Sequence, residues 1–286
     1  MDTAAITLPD LDRAEVVVPA PDGGPGNWAG AASAAVVDDH VYLTYRVRRP
    51  LNAGRGVSTV VARSRDGVHF ETVSEVWRKE FGAESFERPV VLRAPDGTWR
   101  LYVSCATPDS KHWWIEAIDA DRPEDFETGR RSVALSGSDT VAVKDPVIVV
   151  DDRSGWHAWI CEHPLTEAGH EDRMTTAYHR SDDGLVWERR GTVLAPRPGA
   201  WDARGARVSD VVSLDPLVVL YDGRPRATPV DPGSVLLADD AEPLRSPYSD
   251  GACRYAASVT MPDGTLRYYL ELARPDGAHD LVTITA

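Results

Sequence analysis

The sequence predicts an all-β protein, a five-bladed β-propeller of four-stranded antiparallel blades, on three observations. First, a short apolar strand runs into a tight turn and out again into a strand rich in Tyr, Trp and Val five times, with a period of roughly 57 residues. Second, two of these turns carry nearly the same text, Pro95-Asp96-Gly97-Thr98 and Pro262-Asp263-Gly264-Thr265. Third, a different hairpin recurs further out: Ser64 to Phe70 and Ser181 to Trp187 share the pattern Ser-x-Asp-Gly-x-x-aromatic. A fixed period built of hairpins describes units that cannot bury their apolar faces alone and stack around an axis.

Taken in order, blade one covers residues 27–80. Its inner hairpin joins Ala34-Ala35-Val36-Val37 through Asp38-Asp39 to Val41-Tyr42-Leu43-Thr44-Tyr45. Blade two, 84–136, turns at Asp96-Gly97 from Pro89-Val90-Val91-Leu92 into Trp99-Arg100-Leu101-Tyr102-Val103. Blade three, 139–195, crosses Arg153-Ser154-Gly155 into Trp156 to Ile160; blade four, 200–240, crosses Leu214-Asp215-Pro216; blade five, 246–286, crosses Asp263-Gly264. In the outer hairpins the glycine takes a positive φ without steric cost, and the aspartates read as turn formers. Ala14 to Val18 reads as a strand without a blade of its own, placed to close the ring by completing blade five. The repeat consumes nearly all 286 residues, so one domain is expected.

Composition narrows the function. With 45 acidic residues against 31 basic ones the net charge is −14, which opposes binding to nucleic acid or an anionic membrane. No segment approaches a membrane span or a signal peptide, and the three cysteines, Cys105, Cys161 and Cys253, have neither metal-ligand spacing nor an evident disulfide framework. A cytoplasmic location is expected. Hydrophobic content of 42 %, with nine Trp and nine Tyr, suffices for a packed interior.

Inner strands of a propeller line its axis, so chemistry is expected in the segments that lead into them. Those segments hold Trp28 in blade one, Glu87 and Arg88 in blade two, Lys144 and Asp145 in blade three, Trp201, Arg204 and Arg207 in blade four, and Asp250 and Arg254 in blade five. Cations concentrated there in an acidic protein point to a pocket for an anionic group. Trp28 and Trp201 are candidate platforms for a sugar ring, with core packing as the alternative. For Glu87 the alternative is a structural ion pair with Lys144 or another axis-lining cation, and for the arginines it is bridging between blades. Trp113 and Trp114 are adjacent on a strand, so at most one of them reaches the funnel. Glu162-His163 is either pocket wall or a satisfied turn pair.

Tyr42 to Val47, Ala62 to Glu71 and Phe81 to Glu84 resemble the first blades of glycoside hydrolase family 130, the β-mannoside phosphorylases and mannosidases. Lys144-Asp145-Pro146 is similar to that family's Lys-Asp element. Tyr221-Asp222-Gly223 and Tyr268-Tyr269 sit where related glycosidases carry Tyr-His-Gly and Tyr-Tyr-Gly. Families 43 and 32 share the fold and match less well. The resemblance implies cleavage of a glycosidic bond by paired carboxyl groups, or by one acid with phosphate. It implies Arg46 as a phosphate-contacting arginine, Lys144 as a second positive charge and inorganic phosphate as co-substrate. The family's Glu-Asp-Pro-Arg motif is replaced by Glu84-Ser85-Phe86-Glu87-Arg88-Pro89, which makes Glu87 the candidate acid with a longer side chain. The blade-one aspartate of family 43 is replaced by Ala29-Gly30-Ala31-Ala32.

The expectation is thus a glycoside-active enzyme acting by inversion on a small glycoside, with Glu87 or Asp145 as acid. No metal or organic cofactor is expected. The competing expectation is a diverged propeller that binds a carbohydrate or acts on a glycosylated metabolite by another reaction. The sequence leaves the sugar, the linkage and the oligomeric state open.

Overall fold

The computed structural model describes residues 9–151, 153, 155–224, 234–237, 243–248 and 252–286. Blade one comprises β2 (Trp28–Val37), β3 (His40–Arg48), β4 (Gly56–Ser64) and β5 (Glu71–Trp77), preceded by β1 (Glu15–Val18). Blade two is β6 (Phe86–Arg93), β7 (Trp99–Ala106), β8 (Trp113–Ala120) and β9 (Arg130–Leu135). Blade three is β10 (Val141–Asp151), β11 (Gly155–Pro164), β12 (Thr175–Ser181) and β13 (Glu188–Leu194). Blade four shows β14 (Gly205–Leu214), β15 (Leu217–Arg224) and β16 (Ser234–Leu237), and blade five β17 (Cys253–Thr260), β18 (Leu266–Ala273) and β19 (His279–Thr285). Neighbouring strands within each blade pair antiparallel. Among the described residues helix is confined to short 3-10 turns, and none is long and apolar enough to cross a membrane.

The ring closes as expected. β1 pairs antiparallel with β19, Glu15 opposite Thr283 and Val16 opposite Val282, so the start of the chain supplies the outermost strand of blade five. The inner strands pack in sequence, β2 on β6, β6 on β10, β10 on β14, β14 on β17 and β17 back on β2. Each interface has its own apolar cluster. Between blades one and two, for example, Tyr42 and Val61 meet Trp99 and Leu101, with the Tyr42 and Trp99 rings 4.5 Å apart.

The turns follow from their residues. Asp38 and Asp39 both adopt positive φ, 48° and 60°, as the twist of a two-residue hairpin requires. In the outer hairpins Asp66 accepts the backbone N–H of Val68 at 2.9 Å and His69 at 2.8 Å, and Asp183 accepts those of Leu185 and Val186 at 2.8 and 2.9 Å. These aspartates form turns, and Gly67 and Gly184 beside them sit at φ 73° and 72°.

One regularity absent from the expected pattern positions the site. Early in each inner strand the register slips: between Gly30 and Ser33, Glu87 and Val90, Lys144 and Val147, Val208 and Asp210, and Arg254 and Ala257. Such bulges re-aim side chains. Ala31, Asp145 and Tyr255 take φ of 54°, 51° and 54° there. Since Ala31 has no chemistry to offer, this conformation belongs to the bulge itself, and Asp145 and Tyr255 inherit it.

Candidate functional site

Residues at and just before the five bulges lie near the starts of the inner strands and therefore at one end of the axis. There they form a continuous charged network. Arg46, from β3, is buried and faces two carboxylates, Glu87 of β6 in direct ion contact and Glu271 of β18 at 3.1 Å. Glu87 also accepts the Tyr255 hydroxyl at 3.0 Å, and its second oxygen lies 3.9 Å from Lys144 Nζ. Lys144 is 3.6 Å from Asp145, which Arg207 grips at 2.7 Å while its other arm holds Asp222. Arg254 and His279 close the other side on Glu271 Oε1, at 3.0 and 2.8 Å.

The electrostatics follow from burial opposed by opposite charge. Asp145 loses solvation, but Lys144 and Arg207 outweigh that and hold it well below the ordinary carboxylate range. Glu271 is likewise held far below its usual value, burial being overcome by Arg254, His279 and Arg46. Asp222 moves upward because burial exceeds the pull of Arg207. Burial pushes Lys144 down to about 8, against the opposing pull of Asp145.

Trp28, Arg46, Glu87, Lys144, Asp145, Arg207 and Arg254 are thus brought together by the fold. Trp28 stacks on His279 at 4.4 Å and carries Arg48 at 3.7 Å and Arg254 at 4.6 Å over its ring. Arg88 turns away: its guanidinium bonds the Ser209 carbonyl, and its backbone N–H reaches Asp145 at 3.3 Å. It bridges blades two and four. Arg204 is paired with Asp172 at 2.7 Å and bonds the Gly169 carbonyl at 3.0 Å, bracing a blade-three loop. Trp201 stacks on Tyr221 with centroids 5.3 Å apart and covers Gly223, away from the axis. Asp250 lies outside the described residues. Tyr268 and Tyr269 are core residues, the Tyr269 hydroxyl donating to Gly67 O at 2.9 Å.

Glu271, Tyr255, Asp222 and His279 complete the network and were not among the candidates. Glu271 explains the small residues of blade one. A Cβ on Gly30 would stand 2.1 Å from Glu271 Oε2, so the space a blade-one side chain would fill is taken from blade five. The small-residue run from Ala29 to Ala32 leaves room for Glu271, a link that the sequence does not disclose.

Above the network opens a cleft of about 630 Å3, lined by Lys144, Trp113, His163, Arg55, Glu84 and Arg224 among others. Lys144 sits 4.9 Å from the Trp113 ring centre and Arg55 5.8 Å from it. Trp114 faces the other way and donates to Glu116 at 3.2 Å. His163 is pocket wall, whereas Glu162 turns out to Arg189 at 2.7 Å. Arg48 and Arg55 have no carboxylate within ion-pair distance among the described residues. Burial pushes Arg48 down to about 9, the repulsion of Arg46, Arg254 and Arg55 adding to it and the attraction of Glu271 opposing it.

Asp145, Cys161 and His163 bring one donor atom each within 4.8 Å of one another. Two observations argue against a cation there. Asp145 is already gripped by Arg207 and lies 3.6 Å from Lys144, two cations that a metal ion would have to displace or tolerate. His163 Nδ1 meets the Glu171 carbonyl at 2.5 Å, which leaves Nε2 to accept the Cys161 thiol at 3.3 Å. The cluster is satisfied within the protein.

No family model matches the chain, and no curated protein resembles it in sequence. Solved structures do match. A thermostable family-43 glycoside hydrolase aligns with a TM-score of 0.67 at 14 % identity, over 94 % of this chain and 91 % of that one. The β-1,2-mannobiose phosphorylase of Listeria innocua, in complex with β-1,2-mannobiose, aligns at 0.62 and 16 % identity, over 98 % and 92 %. The GH43_1 enzyme of Xanthomonas citri, complexed with xylotriose, aligns at 0.65 and 11 %, over 96 % and 91 %. The chain therefore has the fold of the five-bladed propeller glycoside hydrolases and phosphorylases of the family 43 and family 130 type, at identities that speak for the fold alone.

Proposed function

We propose that the protein is a glycoside-active enzyme whose substrate or co-substrate carries an anionic group, phosphate or an acidic sugar. The observation that carries this reading is Arg48 and Arg55, which have no carboxylate within ion-pair distance among the described residues and lie against the faces of Trp28 and Trp113, Arg55 also lining the cleft. Burial and the repulsion of Arg46, Arg254 and Arg55 outweigh the attraction of Glu271 at the half-buried Arg48 guanidinium, and an anion joining it would relieve that. Arg46, matched by resemblance to a phosphate contact, is buried between Glu87 and Glu271, so on this reading the anion is held one step further out.

The sugar then sits over Lys144 and Trp113, an aromatic face beside a hydrogen-bond donor. Asp145, held ionised by Arg207, is the wrong protonation state for a general acid and serves as the electrostatic partner of Lys144. Glu87 faces three donors as an acceptor, which suits positioning of a sugar hydroxyl or of Lys144. Lys144, which lines the cleft 3.6 Å from Asp145 and is pushed down to about 8 by burial, is the group placed to give a proton to the leaving oxygen. A catalytically diverged sugar-binding propeller is the second reading, favoured by Glu271 filling the blade-one space above Gly30.

Turnover of a panel of aryl glycosides and disaccharides, with and without phosphate, tests the proposal. Sugar 1-phosphate released only when phosphate is present identifies a phosphorylase, and turnover confined to uronic acid glycosides identifies an acidic substrate. Saturable sugar binding with no turnover on any member selects the second reading, and neither binding nor turnover removes both.

A further inference from the structure

A second cleft lies on blade one, between the Leu51 to Gly54 turn and the Trp77 to Glu80 turn, with a volume of about 800 Å3. It adjoins the axial cleft along Arg55 and Glu84, which line both. Each alone is within the usual size of a small-molecule site, roughly 300 to 1,000 Å3.

Its lining has a consistent chemistry. Trp77, at the end of β5, is 45 % exposed and Leu51 72 %, apolar surface that the fold leaves uncovered. Around them stand Asn52, Arg55, Lys79 and Glu84, which offer donors and acceptors at the rim of the indole. An aromatic face ringed by polar groups matches a sugar ring, whose faces are C–H and whose edges are hydroxyls. An acyl chain or apolar peptide would strip those charges of water without repaying them.

The walls are also set in advance. Arg78 Nη1 donates to the carbonyls of Ala83 at 3.2 Å and Glu84 at 2.6 Å, tying the two sides of the Trp77 turn together. Opposite, Arg49 N–H donates to Arg55 O at 2.8 Å and Arg55 N–H returns to Pro50 O at 3.4 Å, with Gly54 at φ 105° and Arg55 at φ 56°. A preformed groove loses less on binding than one that must be ordered.

We propose that this groove binds a further sugar residue of the same glycan that occupies the axial cleft, stacked on Trp77, so that the natural substrate is an oligosaccharide longer than a disaccharide. The proposal rests on the glycan-active reading above and adds a distal subsite to it.

Calorimetric titration with mannose-, xylose- and arabinose-based oligosaccharides of two to five residues tests it on the wild type, Trp77→Ala and Trp77→Phe. In the wild type, affinity for the sugar class that binds rises with chain length. Trp77→Ala weakens binding of the longer members about tenfold, the scale of one lost aromatic contact, leaves the disaccharide unchanged, and is rescued by Trp77→Phe. Trp77 is half-exposed at a strand end, so a melting temperature near that of the wild type confirms that the variants are folded. Equal affinity for short and long members, or loss of both alike in Trp77→Ala, overturns the distal subsite and leaves the glycan-active reading standing. Binding of no member by the wild type overturns the distal subsite, while the glycan-active reading stands or falls on the turnover panel above.

Discussion

Glu271→Gln removes the negative charge at the centre of the axial network while keeping the side chain's shape. Glu271 is fully buried and holds three groups, His279 at 2.8 Å, Arg254 at 3.0 Å and Arg46 at 3.1 Å. Taking one partner from a buried ion pair costs about 3 to 5 kcal/mol, because the remaining charges stay buried. At about 2 to 4 °C per kcal/mol for a chain of this size, the melting temperature falls by about 6 to 20 °C. The loss depends on pH with a definite sign. Glu271 is depressed from an ordinary 4.5, so its contribution is complete above that value and disappears as pH falls through the lower folded value. The gap between wild type and Glu271→Gln therefore narrows in strong acid. Gly30→Ala supplies a geometric control, since its Cβ would lie 2.1 Å from Oε2 and 2.4 Å from Cγ of Glu271. Alone it displaces the carboxylate. Combined with Glu271→Ala it fills vacated space, so the double variant loses less than the sum of the singles, a coupling that a double-mutant cycle in urea measures. A fall of less than about 2 °C in Glu271→Gln, or strict additivity of the cycle, refutes the reasoning.

Lys144→Met tests the floor of the cleft. With Lys144 pushed down to about 8 from 10.5, the unfolded chain binds the extra proton between these values, so wild-type stability relative to Lys144→Met rises by about 3 kcal/mol across that window. A difference that stays flat with pH in chemical denaturation contradicts the assignment. Asp66→Ala removes the acceptor for two turn N–H groups and is expected to cost about 1 kcal/mol, read as a small fall in urea midpoint, with Asp183→Ala behaving alike in blade three. A loss of glycoside turnover in either variant without that fall would assign these aspartates a role in the site.

The fold was legible because propeller blades repeat: periodic hairpins, the recurring Ser-x-Asp-Gly turns and the extra strand Ala14 to Val18 all specify it locally. The site was legible in part. Residues leading into the inner strands do converge, and Glu87, Lys144, Asp145, Arg207 and Arg254 share one network. Arg204 and Trp201 share that position in sequence, but they precede β14 and turn outward to Asp172 and Tyr221. The inner-strand bulges decide which side chain reaches the axis, and they occur over Ala-Ala, Arg-Pro, Asp-Pro, Ser and Tyr-Ala, with no common residue to reveal them. Glu271 was hidden because it sits on a second strand, deep in an apolar-looking run. Its contact with Gly30 joins blades one and five across the ring closure, a proximity no local pattern encodes.

The central claim is that an anion is held at the mouth by Arg48 and Arg55. Titration of inorganic phosphate into the wild type and into Arg48→Gln/Arg55→Gln, followed by calorimetry at low ionic strength, tests it most directly. The account predicts saturable binding in the wild type that weakens at least about tenfold when both guanidiniums are removed, in a variant that melts near the wild-type temperature. Absence of saturable binding in the wild type, or equal affinity in the double variant, contradicts it.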